Sequence, residues 1–165
     1  MKLLEEIKDQ EFLDEAGYEI REASRAVLFD KDGKVPILFV SKHNYYKLPG
    51  GGVEEGEGKE EALKREIKEE VGSEIEITGE IGTIIEFRSK WKIKQISYCY
   101  LGKVTTIGEP SFTEKELEDG FRLVWLPLDE AIKKIEKENV SNYQGSLVKR
   151  RDLIFLKKAK EIIKN

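Results

Sequence analysis

Leu48–Ser73 reads LPGGGVEEGEGKEEALKREIKEEVGS, and the rest of the chain is organised around it. Gly50, Gly51 and Gly52 permit backbone conformations closed to other residues and let main chain approach a ligand closely. An acidic loop follows, then a segment with helical spacing. Taken as a helix from Gly58 to Val71 and advanced about 100° per residue, it puts Leu63, Ile67 and Val71 in an arc of roughly 80°, the stripe to be buried. Glu66, Glu69 and Glu70 share the adjoining arc with Ala62, about 100° wide, while Glu61, Lys64 and Lys68 point elsewhere. Like charges at i, i+3 and i+4 destabilise an isolated helix. An ordinary solvated face is the plain alternative. The clustering of the acids by sign, beside a core stripe and after a glycine turn, predicts a divalent-cation site instead. Carboxylate oxygens of this kind select Mg²⁺, Mn²⁺ or Ca²⁺ over zinc.

Charge supports that expectation. The 165-residue chain has a formal net charge of −4, which argues against DNA duplex held on a basic surface. Glu54 to Glu70 holds eight acids and four bases, so this short stretch alone also carries −4. Such a field repels phosphate unless a cation intervenes. With 39% hydrophobic and 38% charged residues, one α/β domain spanning 1–165 is expected, with a core and a heavily charged surface. No apolar run approaches the roughly 20 residues of a membrane span. MKLLEEIKDQ is too acidic for a secretory signal, and a lone cysteine, Cys99, suits a reducing cytoplasm.

Outward from the central stretch, residues 1–17 have apolar positions at loosely helical spacing, predicting an accessory N-terminal helix. Tyr18 to Phe29 and Val35 to Val40 read as strands joined by the Asp30–Gly33 turn, where Asp-Gly readily takes positive φ. Downstream, Glu74 to Ile77 alternates and Thr78-Gly79 breaks it. Ile81 to Arg88 and Ile93 to Val104 read as strands joined around Ser89-Lys90-Trp91. Thr105 to Gly120 reads as a polar loop, Phe121 to Leu126 as a strand, Asp129 to Glu138 as a helix, and 146–163 as a C-terminal amphipathic helix. A mixed β-sheet follows from this order.

Gly51, Glu57, Arg65, Glu66, Ile67, Glu69, Glu70 and Gly72 stand at the spacings of the Nudix box, and the stretch resembles that family. Ser73 replaces the closing aliphatic residue, a departure that touches packing and no ligand. The likeness extends over roughly 20–137, through the later Trp125-Leu126-Pro127-Leu128-Asp129-Glu130 segment. The resemblance implies a Nudix-type α/β/α sandwich and a MutT-like metal-dependent pyrophosphatase. By position, Glu66, Glu69 and Glu70, with the Gly50 carbonyl, would hold Mg²⁺ or Mn²⁺, and Arg65 would pair with Glu57 to fix the loop on the helix. Gly51 and Gly72 would be structural. The proton acceptor is sought among Glu66 and Glu69 on the helix and Glu116, Glu118 and Asp119 on the later loop, with Glu118 favoured.

The substrate implied is a small nucleotide: a nucleoside triphosphate, possibly oxidised, cleaved to monophosphate and pyrophosphate. ADP-ribose, dinucleoside polyphosphate and capped RNA are alternatives, as is a catalytically silent nucleotide sensor. Arg25 is the candidate phosphate contact, and Tyr46 and Phe87 are candidate base contacts, with Tyr45 and Trp91 nearby. Aromatics on strands also serve as core. His43 has no nucleophile beside it, and Cys99 reads as a core thiol. A monomer or homodimer is expected.

Overall fold

The computed structural model describes residues Met1–Lys164. Eight strands form two sheets: β1 (Leu3–Lys8), β2 (Glu19–Phe29), β3 (Lys34–Val40), β4 (Tyr45–Lys47), β5 (Gly50–Gly52), β6 (Glu74–Arg88), β7 (Ile93–Thr106) and β8 (Phe121–Pro127). A mixed five-stranded sheet runs β1-β6-β7-β2-β5, and an antiparallel three-stranded sheet runs β4-β3-β8. Among the described residues four α-helices accompany them: α1 (Lys59–Val71), α2 (Glu114–Glu118), α3 (Leu128–Glu136) and α4 (Tyr143–Lys164).

The run Ala26-Val27-Leu28 is apolar throughout because β2 is buried on both faces, as strands covered on two sides are. Ala26 and Leu28 meet Leu63, Ile67 and Val71 of α1, the stripe expected from the sequence. Val27 points the other way, into a core shared with α3 and α4 through Ala131, Ile135, Phe155 and Leu156. Helix on sheet on helix is the α/β/α sandwich, and the five-stranded sheet is mixed. β3, β4 and β8 form the separate second sheet instead of extending the first. No helix among the described residues is long and apolar enough to cross a membrane.

The expected helix over 1–17 is absent: Leu3–Lys8 is a strand, paired parallel to the second half of β6. An open sheet edge offers a ladder of backbone partners, and that outweighs loose helical spacing in a short segment. The fit is specific, since Ile7 is buried and Leu4 sits where a Cβ on Gly82 would come within 2.5 Å of its Cγ. The expected break at Thr78-Gly79 is an irregularity inside one long strand, with the register slipping between Ile77 and Gly79 and again between Glu80 and Gly82. The expected 105–120 loop contains α2, one and a half turns long, closed by a capping box. There Glu116 N–H donates to Thr113 Oγ1 at 3.3 Å and Thr113 N–H to Glu116 Oε2 at 2.8 Å. The C-terminal helix starts at Tyr143, ahead of the expected 146, because Asn142 Oδ1 accepts the Gly145 N–H at 2.7 Å.

Candidate active site

The glycines come first, because they set how closely everything else approaches. β5 pairs antiparallel with β2, Gly50 opposite Arg25 and Gly51 opposite Ser24. Gly50 has φ +130°, and a Cβ there would lie 2.2 Å from the Ser24 carbonyl oxygen. At Gly51 a Cβ would lie 2.3 Å from Glu66 Oε1. Only glycine lets the strand seat against both backbone and carboxylate.

Helix α1 aims the acids. Glu61 reaches back to accept the Gly58 N–H at 2.9 Å, and Gly72 closes the helix with φ +71°. A Cβ on Gly72 would lie 2.3 Å from the carbonyl of Glu109, so this glycine lets the segment before α2 cross the helix end. Ser73, in the aliphatic position of the box, is buried there. The crossing is pinned where Ser111 N–H donates to the Glu69 carbonyl at 2.8 Å. It brings the later loop back over the helix and puts Glu116 beside Glu66 and Glu70. These three each offer one oxygen, all within 4.8 Å of one another.

Arg65 ties loop to helix. Its Nε and Nη2 donate to the two oxygens of Glu57 at 2.9 and 3.0 Å, its Nη1 to Glu66 at 2.8 Å, and its Nη2 also to the Gly52 carbonyl at 3.0 Å. Those hydrogen bonds, Glu57 first, hold the Arg65 guanidinium well above its ordinary pKa and hold the Glu57 carboxyl below its own. Glu66 is thereby oriented through its neighbour.

Glu70 is 1% exposed. Burial pushes its pKa up, opposed by Lys47 and by the Gly50 N–H. Gly50 N–H donates to Oε2 at 2.7 Å and Lys47 Nζ to Oε1 at 2.6 Å. The Lys47 ammonium also lies 3.3 Å from the Gly50 carbonyl oxygen. One positive charge thus already touches two of the groups expected to hold a metal, so Lys47 stands in for a cation. The donor set fits a hard divalent ion. Three carboxylate oxygens within 4.8 Å of one another, with the Gly50 carbonyl beside them, make an all-oxygen set of the kind such ions prefer.

Glu69 lies at the rim, 3.9 Å from Arg65 Nη1 and outside the three-oxygen cluster. Desolvation first, then the charge of Glu66, raises its pKa. Glu118, the loop acid favoured from the sequence, is exposed on the far side of α2. Over this one and a half turns of helix, 116 and 118 are about 200° apart, so when one faces α1 the other cannot. Asp119 instead pairs with Lys115 at 2.8 Å and Lys42 at 3.2 Å.

Of the substrate candidates, Arg25 reaches the cleft: its Nη1 donates to the Gly50 carbonyl at 3.3 Å. Phe87 is a correction. It is 0% exposed, wedged against Phe12 and Tyr18 with ring centroids 4.7 and 5.9 Å away, so its faces are already covered. Tyr46 is a second correction. It packs on Phe39 at 4.7 Å and lies under Lys134 of α3, because alternation along β4 sends neighbours to opposite faces. Tyr45, next along, faces the cleft.

Beside Gly50–Gly52 opens a pocket of about 190 Å³ lined by Arg21, Arg25, Lys47, Arg88 and Arg151 among others. A larger hollow of about 530 Å³ borders Lys64, Lys68 and Ile75 and includes none of the three clustered glutamates. Behind the smaller pocket, Arg151 Nη1 donates to Glu86 at 3.2 Å and its Nε to Asp152 at 2.7 Å, while Asp152 Oδ2 accepts the Leu48 N–H at 2.8 Å. This network anchors the glycine strand to α4. It was missed from the sequence, although the signal was present. Val148, Arg151, Asp152 and Phe155 recur at i, i+3, i+4 and i+7, which puts two charges on a buried helical face.

Comparisons with known proteins bear on this arrangement. The family model described as the NUDIX domain matches residues 19–146. An RNA pyrophosphohydrolase of Campylobacter jejuni subsp. doylei is 35% identical over 72 residues, covering 41% of this chain and 46% of that protein. Diphosphoinositol polyphosphate phosphohydrolase 2 of Rattus norvegicus is 29% identical over 126 residues, 74% of this chain and 66% of that one. The matched part thus spans about half to two thirds of these curated relatives. A Nudix hydrolase of Nitrosomonas europaea has the same fold, with a TM-score of 0.65 at 18% identity over 87% of this chain and 90% of its own.

Proposed function

The chain belongs to the Nudix family, and on that premise we propose that it hydrolyses a diphosphate linkage with the help of a divalent metal ion held by Glu66, Glu70, Glu116 and the Gly50 carbonyl. The observation that carries the proposal is the convergence of three carboxylate oxygens within 4.8 Å, one of them from a loop remote in sequence. Mg²⁺ or Mn²⁺ suits the all-oxygen donor set. When bound, such an ion offsets phosphate charge and lowers the pKa of a coordinated water.

The protein's own groups do the rest. Arg65 orients Glu66 and fixes Glu57 on the loop. Glu69, outside the cluster and with its proton affinity raised, takes the proton from the attacking water. Lys47, on giving up its contact with Glu70, lies beside Arg25 and pairs with phosphate oxygens leaving the reaction. Electrostatic positioning of this kind supplies most of the rate in phosphoryl chemistry.

The substrate proposed is a nucleoside triphosphate, giving monophosphate and pyrophosphate, and the reaction takes place in the cytosol within one domain. The test is release of phosphate products from a panel of nucleoside triphosphates, ADP-ribose, dinucleoside polyphosphates, 5′-triphosphate RNA and a diphosphoinositol polyphosphate, with Mg²⁺ or Mn²⁺. Turnover of the triphosphates is expected. Turnover of ADP-ribose alone would overturn the substrate assignment, and no turnover of any member would favour a nucleotide sensor.

A further inference from the structure

Three arginines converge on the pocket beside the glycine strand, each from a different element: Arg25 from β2, Arg88 from the end of β6 and Arg151 from α4. They are 8, 6 and 0% exposed. Each keeps one buried N–H group without an acceptor: Arg25 Nε, Arg88 Nε and Arg151 Nη2. Native structures leave few buried donors unpaired, and three within one group of arginines bordering a pocket mark this network as short of acceptors.

The charges tell the same story. Against three guanidinium groups stand two buried acids, Glu86 and Asp152. Glu86 is shared between Arg88 at 3.1 Å and Arg151 at 3.2 Å, and Asp152 divides itself between Arg151 and the Leu48 N–H. Lys47 is already matched by Glu70. Arg25 therefore has a carbonyl and no carboxylate, and burial together with Arg151 pushes its pKa down to about 10. One buried positive charge is uncompensated. A buried guanidinium recognises phosphate by a planar fork that an ammonium lacks.

Place and size narrow the occupant. Gly50 sits on a boundary, its N–H held by Glu70 from the α1 side and its carbonyl held by Arg25 from the other. The pocket is thus next to the carboxylate cluster without being part of it. At about 190 Å³ it is smaller than the roughly 300 Å³ at which pockets begin to hold drug-sized ligands. A phosphate group fits it, and a nucleoside does not.

We propose that Arg25, Arg88 and Arg151 form an anion subsite for a phosphate group of the substrate one removed from the cleaved linkage. Substrates that carry a further phosphate, such as nucleoside triphosphates or polyphosphorylated polyols, are then preferred over diphosphates ending in a neutral sugar. This selectivity rests on the hydrolase reading, but the subsite itself does not.

The test has two arms. In the first, inorganic phosphate is titrated into the whole protein in EDTA at constant ionic strength, with heat and melting temperature as readouts. Phosphate should bind and stabilise the wild type. Arg88→Gln and Arg25→Lys, each checked for a cooperative melt, should each weaken binding about tenfold or more. Arg150→Gln, on the exposed face of α4, should not. No binding to the wild type, or equal binding to whichever of the two variants folds, would overturn the proposal and leave the arginines as a structural ion-pair network. No metal is involved, so this arm stands even if the hydrolase reading fails. In the second arm, with Mg²⁺, the ratio of kcat/KM for a nucleoside triphosphate over ADP-ribose should fall about tenfold in Arg88→Gln. An unchanged ratio would overturn the selectivity.

Discussion

Glu70→Gln should lower turnover about 10³-fold while the protein still melts within a few degrees of the wild type. The side chain is buried, so the substitution preserves its volume and removes only charge and one acceptor. Two donors now point at it, the Gly50 N–H at 2.7 Å and Lys47 Nζ at 2.6 Å. A glutamine satisfies one and turns its own amide towards the other, so both the glycine strand and the cation position shift. Losing one charged oxygen from a hard-metal site costs on the order of 4 kcal/mol of transition-state stabilisation, roughly a thousandfold. The fold loses little, because burial had raised the Glu70 pKa and the neutral amide escapes that desolvation cost. Full activity in this variant would remove Glu70 from the metal set.

Arg151→Met should be the most destabilising single change outside the apolar core. Arg151 is 0% exposed, and the acids on either side of it, Glu86 and Asp152, are 0% exposed as well. Burial works against its charge, but Asp152 and Glu86 together outweigh that and hold the Arg151 pKa well above its ordinary value. Removing one partner from a buried ion network leaves carboxylates without compensation and typically costs about 3–5 kcal/mol. At roughly 2–4 °C per kcal/mol for a chain of this size, the melting temperature should fall by about 10 °C. The double variant with Glu86→Gln should recover part of that loss, since it removes one of the stranded charges. A drop of under about 2 °C in the single variant, or no recovery in the double, would show that the network is loosely held or hydrated. Activity should fall with stability, because Asp152 positions the Leu48 N–H just ahead of the glycine strand.

What the sequence made legible was local. Helix α1 and its apolar stripe follow from helical periodicity, and the Glu57–Arg65 pair, eight residues apart, follows from the resemblance to the Nudix box. The parts that escaped depend on distant segments meeting. Glu116 reaches Glu66 and Glu70 only because Gly72 lets the chain near Glu109 cross the helix end, and nothing in a run of loop acids distinguishes 116 from 118 except the Thr113 capping box that orients α2. Phe87 and Tyr46 look like substrate contacts in the sequence, since aromatics on strands look alike until the facing side is known. Phe12 and Tyr18 cover the first and Phe39 the second. Within residues 1–17, the strand Leu3–Lys8 takes its pairing from β6, which its own loosely helical spacing does not reveal.

The most direct measurement is anomalous diffraction from a crystal soaked in Mn²⁺. A peak is expected within roughly 2.5 Å of carboxylate oxygens from Glu66, Glu70 and Glu116, close to the Gly50 carbonyl, with Lys47 swung away from Glu70. A peak elsewhere, or none while Lys47 still bridges Glu70 and Gly50, would contradict the assignment of this cluster as the metal site.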